Sequence, residues 1–171
     1  MEEEKILLNK VASEDYDFAD RPLDFIGEVG ATALVCEPDP TVRERIGDDL
    51  KEQGYQITTP ATAKDALNAM RFHIYDVVVL NELFDTKDPK TNTVLLYLEN
   101  MAMATRRRFF VALVSGTCRT MDKMAAFNRS VNIVIHVQSI DDMAKIIKRG
   151  VADNRAFYHV FQETLQKMGK V

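Results

Sequence analysis

Five short runs of this chain are apolar with little or no interruption, and between them apolar residues recur at helical spacing. The clearest run is Tyr75-Asp76-Val77-Val78-Val79-Leu80-Asn81. It lacks the period-2 alternation of a half-exposed strand and predicts a strand buried on both faces, the centre of a parallel sheet. Ala33-Leu34-Val35-Cys36, Phe109 to Val114 and Val131 to His136 predict three more strands. Tyr55-Gln56-Ile57-Thr58-Thr59 is mixed and reads as an edge strand.

Helical stripes fill the gaps. Asp39 before Pro40 is a helix start, with Asp as N-cap and Pro at the first helical position. Val42, Ile46 and Leu50 follow on one stripe, and Gly54 ends the helix. Thr62-Ala63-Lys64-Asp65 is a capping-box variant opening a helix with Ala66, Leu67 and Met70 inward. Glu82 to Lys90 reads as a polar loop. A third helix is expected from Thr93 to Ala104, with Val94, Leu95, Leu98 and Met101 inward, and a short fourth from Thr120 to Asn128. Ser139 is expected to cap a fifth helix carrying Ile140, Met143, Ile146 and Ile147, and Gly150 to stop it. A sixth helix, about 153–168, carries Phe157, Val160, Phe161, Leu165 and Met168 on one face. Alternating strands and helices imply right-handed crossovers and a doubly wound α/β sheet covered on both faces. The expected division is an extension or linker over 1–30, a sheet domain over 31–150 and an added helix over 151–171. Within the extension, Leu23-Asp24-Phe25-Ile26 offers apolar side chains to the domain.

Composition narrows the possibilities. The 171 residues are 46% hydrophobic and 28% charged, the balance of a folded soluble domain. A net charge of -4 argues against nonspecific nucleic-acid binding, which draws its affinity from cationic contacts to phosphates. No apolar run approaches the roughly 20 residues that span a bilayer, so no membrane partner is expected. Cys36 and Cys118 have neither CxxC spacing nor a neighbouring His, and read as a buried apolar residue and a loop residue. The expected location is the reducing cytoplasm.

In an open α/β sheet, function gathers where the strands end, which puts Asn81 on the floor of the crevice. Four segments at that edge carry a resemblance: Leu34 to Pro40, Asp76 to Asn81, Val111 to Gly116, and Ile135 to Met143. In order and spacing they resemble the first, third, fourth and fifth strand ends of response-regulator receiver domains, over about Thr32 to Lys148. The resemblance implies a flavodoxin-like (CheY-like) topology with strand order 2-1-3-4-5. It also implies the family's chemistry: an Asp nucleophile, acidic ligands for Mg²⁺, and a Lys that neutralises phosphoryl oxygens, all tasks of positioning and charge stabilisation.

Against that pattern the nucleophile position holds Asn81. The acidic pair is Glu37 followed by Pro38, the Lys position holds His136, and the following proline is Val137. Only the Ser of the fourth strand, Ser115, is kept, and the usual Met-Pro and Asp-Gly after the third strand are missing. The chain therefore resembles a degenerate receiver, or pseudo-receiver.

Each residue also has a plainer reading. Asn81 is either a pocket floor bonded across the strand ends or a polar strand terminus. Glu37 and Asp39 offer oxygens to a divalent cation, or are a solvated loop carboxylate and an N-cap. A register slip would make Glu82 or Asp85 the phosphoacceptor, but Asp76 anchors the alignment and a slip of one residue would reverse the faces of the strand. His136 is a switch or a locally bonded strand end. Arg106-Arg107-Arg108 grips an acidic partner or is a solvated turn.

The expected function is a non-catalytic signal-transduction module acting by protein–protein contact. Its partner, another protein or a second copy, would be met through the C-terminal third, with Phe157, Val160, Phe161 and Leu165 on the contact face. No cofactor or metal is expected. The alternative is a small-molecule or nucleotide sensor using the crevice, although Glu37-Pro38-Asp39-Pro40 stands where a Gly-rich phosphate loop would be. An enzyme finds no support, since no Ser/His/acid arrangement or nucleophile elbow is present.

Overall fold

The computed structural model describes residues 30–169, so all but the last residue of the predicted extension, with Leu23 to Ile26, lies outside the described residues. The apolar runs form β1 (Thr32–Cys36), β2 (Gln56–Thr58), β3 (Val77–Asn81), β4 (Phe110–Ser115) and β5 (Ile133–His136). They pair in parallel in the order β2-β1-β3-β4-β5. Alternation along each strand divides the core in two. Leu34, Val78, Leu80, Val111, Leu113 and Val134 face one layer, while Ala33, Val35, Val77, Val79, Ala112 and Ile135 face the other.

Among the described residues, six α-helices flank the sheet: α1 (Pro40–Glu52), α2 (Ala63–Phe72), α3 (Thr93–Asn100), α4 (Met103–Arg106), α5 (Lys123–Asn128) and α6 (Met143–Lys167). α2, α3 and α5 bury Met70, Leu95, Leu98 and Ala126 on the first face. α1 and α6 bury Ile46, Leu50, Met143, Ile147 and Val151 on the second. Asp39 caps α1 by accepting from the amides of Thr41 and Val42, with Pro40 at the first helical position. Thr62 caps α2 by accepting from the Asp65 amide.

The structure departs from the sequence pattern in four places. The helix expected over Thr93 to Ala104 breaks after Asn100, whose carboxamide donates to the Leu96 carbonyl at 2.7 Å. Met101 is extended there and packs against the core, and α4 follows as a separate turn. Arg106 is buried, not part of a solvated turn: its guanidinium donates to the carbonyls of Ser130 and Phe109 and to Asn132 Oδ1. Burial lowers its pKa to about 10. Ser139 lies inside a 3-10 segment, Val137–Asp142, and its hydroxyl accepts from Thr120 Oγ1 instead of capping a helix.

Gly150 does not stop the fifth helix. The extra C-terminal helical segment is present, but it continues that helix without interruption as the distal half of α6. A Cβ at Gly150 would sit 2.6 Å from Phe110 Cζ, so the glycine lets the helix pass directly over a buried ring. Among the described residues, no helix is long and apolar enough to cross a membrane.

Candidate functional site

Because all five strands run parallel, their C-terminal ends share one edge. Cys36 pairs with Leu80, Asn81 with Val114, and Ser115 with His136, which places Glu37, Asn81, Ser115 and His136 along that edge.

Asn81 bonds across the strand ends. Its Nδ2 donates to Glu37 Oε2 at 2.8 Å, and its Oδ1 accepts from the Leu83 amide at 2.9 Å. These two contacts fix which way the carboxamide points. Glu37 is 2% exposed, not a solvated loop carboxylate. Its Oε1 accepts from the Asp39 amide at 3.1 Å, and its main-chain carbonyl from Arg43 at 3.1 Å. Burial raises the Glu37 pKa above its ordinary value; the Asn81 and Asp39 hydrogen bonds oppose that rise, and the Asp39 charge adds to it.

A second set of contacts surrounds Gly116. Its amide donates to Glu82 Oε1 at 2.7 Å, and its carbonyl lies 3.2 Å from His136 Nε2. A carbonyl only accepts, so Nε2 carries the proton, and Nδ1 accepts from the Gln138 amide at 3.1 Å. His136 is thus bonded locally on both ring nitrogens. The Ser115 hydroxyl is buried and turned to its own loop, accepting from the amides of Thr117 and Cys118 at 3.1 and 3.0 Å. The peptide joining Asn81 to Glu82 links the two sets. Buried Asn92 holds this turn, its Nδ2 donating to the Asn81 carbonyl and to the Glu82 carbonyl of the next peptide, each at 3.1 Å.

A divalent cation does not fit these donors. Both Glu37 oxygens already accept hydrogen bonds, Pro38 offers no side-chain ligand, and Asn81 turns its oxygen to Leu83. Asp39 Oδ1 is committed to the start of α1. Far from this edge, Phe157 and Val160 are strongly exposed on distal α6, Phe161 less so, and Leu165 is half-buried.

Sequence reasoning missed Asn92, and it weighed Glu82 only as a phosphoacceptor, not as the buried acceptor of the Gly116 amide. Asn92 was recoverable: it stands directly before an apolar helical stripe and accepts from the Leu95 amide as an N-cap. Glu82 carries no local signal. It is buried because a loop after β4 brings the Gly116 amide to it, not because of its own neighbours.

No family model and no curated protein sequence matches the chain. Solved structures do. The receiver domain of a Francisella response regulator is 18% identical, with a TM-score of 0.57, over 72% of this chain and 98% of that one. A response regulator from Chloroflexus aurantiacus is 19% identical, with a TM-score of 0.58, over 71% and 98%. The receiver domain of a Pseudomonas aeruginosa sensor histidine kinase, solved with magnesium in its active-site cleft, is 16% identical, with a TM-score of 0.57, over 72% and 98%. The chain has the fold of response-regulator receiver domains.

Proposed function

We propose that the chain is a signal-transduction module of receiver type that has lost aspartyl phosphorylation and works by protein–protein contact, without catalysis. The observation that carries this reading is the Asn81–Glu37 bond. The residue at the receiver nucleophile position is a carboxamide, and its amide nitrogen occupies an oxygen of Glu37, the carboxylate at the end of β1, by hydrogen bonding to it. A carboxamide cannot form the acyl phosphate. The Glu82–Gly116–His136 contacts hold the loop after β4 in one arrangement, and the module then presents a fixed surface to its partner.

The test is direct. The protein is incubated with acetyl phosphate and Mg²⁺, and separately with beryllofluoride and Mg²⁺, and followed by intact mass and by amide spectra. Unchanged mass and unchanged spectra are expected. A stoichiometric adduct at the end of β3 would overturn the reading. The alternative of a small-molecule sensor at the crevice gains nothing from the cavities: the groove of about 640 Å³ lies along β5 between α5 and α6.

A further inference from the structure

The chain enters the described fold at Gly30, with 29 residues before it. Thr32 then opens β1 at the N-terminal edge of the sheet, opposite the edge that holds Asn81. The connection from α2 to β3 is laced to that entry. His73 Nε2 lies 3.0 Å from Thr32 Oγ1, Asp76 Oδ2 accepts from the Thr32 amide at 2.8 Å, and the Asp76 amide donates to the Thr32 carbonyl at 3.0 Å.

Beside this lacing the surface is apolar. Phe72, the last residue of α2 and the neighbour of His73, is 72% exposed, and Ile74 is only partly covered. α3 packs along α2, and just past its end Met101 is also only partly covered. A lone exposed Phe is ordinary. What singles this one out is the chain that arrives next to it. Ile26 is six residues before Thr32 and Leu23 is nine before it, spans that extended chain covers with about 20 to 30 Å of reach. Phe72 is one residue from the side chain that bonds Thr32, well inside that reach.

Charge points the same way. Residues 1–29 carry nine carboxylates against three cations, while the remainder of the chain has a small excess of cations. The edge offers the opposite sign. Arg71 precedes Phe72, and Arg107 and Arg108 lead into β4, where the Phe110 amide donates to the carbonyl of Asp76 in the same connection. Complementary patches of this kind favour one pairing over others.

We infer that the chain's own N-terminal segment seats on this edge. Leu23, Phe25 and Ile26 cover Phe72 and Ile74, and the carboxylates between Glu14 and Asp24 face Arg71, Arg107 and Arg108. A segment tethered this closely has an effective concentration on the order of millimolar, which a separate acidic protein would have to outcompete. The inference stands apart from the strand-end chemistry, which lies at the other edge of the sheet.

Photo-crosslinking of the full chain at low micromolar concentration tests it, with benzoylphenylalanine in place of Phe25. Irradiation should join position 25 to the Arg71–Tyr75 stretch of the same chain. Crosslinks only between chains, crosslinks only to another face of the domain, or none at all would each overturn the inference. Thermal melts give a second readout. Phe25→Ser and Phe72→Ser should each lower the melting temperature by about 2–4 °C. The double variant should lose little more than the larger single loss, because both changes remove one contact. Additive losses, or no loss in either single variant, would refute the pairing of Phe25 with Phe72.

Discussion

Replacing Asn81 by Asp would put a carboxylate at the end of β3, beside Glu37, and the structure predicts the outcome. The substitution exchanges an amide nitrogen that donates to Glu37 Oε2 at 2.8 Å for a carboxylate oxygen. It removes one hydrogen bond to a charged acceptor, worth about 1.5–3 kcal/mol. It also sets two negative charges within about 4 Å, a repulsion on the order of 4 kcal/mol at an effective dielectric of 20. The pair would relieve part of this by taking up a proton, so about 2–4 kcal/mol of destabilisation at pH 7 is expected, a fall of roughly 1–2 M in the urea midpoint. The pH dependence carries the sign. Glu37 already has a folded-state pKa above the ordinary 4.5, so its folded form holds the proton more tightly and its contribution falls as pH rises from about 4.5 through the raised value. A second carboxylate pushes the same way, and the N81D deficit should shrink steadily from pH 7 to pH 4, where a shared proton restores the bond. In N81D/E37Q the carboxamide sits on the other side of the contact and donates back, recovering at least half of the loss at pH 7. Urea melts of the wild type, both single variants and the double variant at pH 4, 5.5 and 7 measure all of this. An N81D protein as stable as the wild type at pH 7, or a double variant showing no coupling, would refute the assignment of the Asn81–Glu37 bond.

Two further outcomes follow from the packing. Gly150→Ala should lower stability by about 1 kcal/mol where a mid-helix Gly→Ala exchange ordinarily gains about that much, because the new methyl meets Phe110 Cζ at 2.6 Å; thermal melts of G150A and G150A/F110L should show loss and then recovery. Arg106→Lys should cost about 3 kcal/mol in denaturant melts despite keeping the charge, because one ammonium cannot reach the Ser130, Phe109 and Asn132 acceptors that the planar fork serves together.

The strands were legible because burial on both faces writes itself into sequence as unbroken apolar runs, and Val77 to Leu80 could be little else. Helix starts at Asp39 and Thr62 were legible because capping is local. What escaped was decided across the sheet. Gly150 looks like a terminator by composition, and only the Phe110 ring beneath it explains a glycine in mid-helix. Arg106 looks like surface charge in a basic run, and only the Ser130 carbonyl and Asn132 Oδ1, brought from another segment, make it interior. At the crevice, register placed Glu37, Asn81, Ser115 and His136 on one edge. The donor from Asn81 to Glu37 and the turning of Ser115 into its own loop are matters of side-chain direction that spacing does not encode.

The uninterrupted passage of α6 over Phe110 has a mechanical corollary. A helix packed on the sheet through Met143, Ile147 and Val151, closest at one crossing and extending beyond it, acts as a lever about that crossing. Asn154 and Phe161 are lighter rests on the domain. With about 24 Å of rigid rod past Val151, a tilt of about 5° at the Gly150–Phe110 crossing would carry the tip through roughly 2 Å. Repacking too slight to alter the sheet is thus magnified, at the far end, into a displacement the size of a side-chain contact.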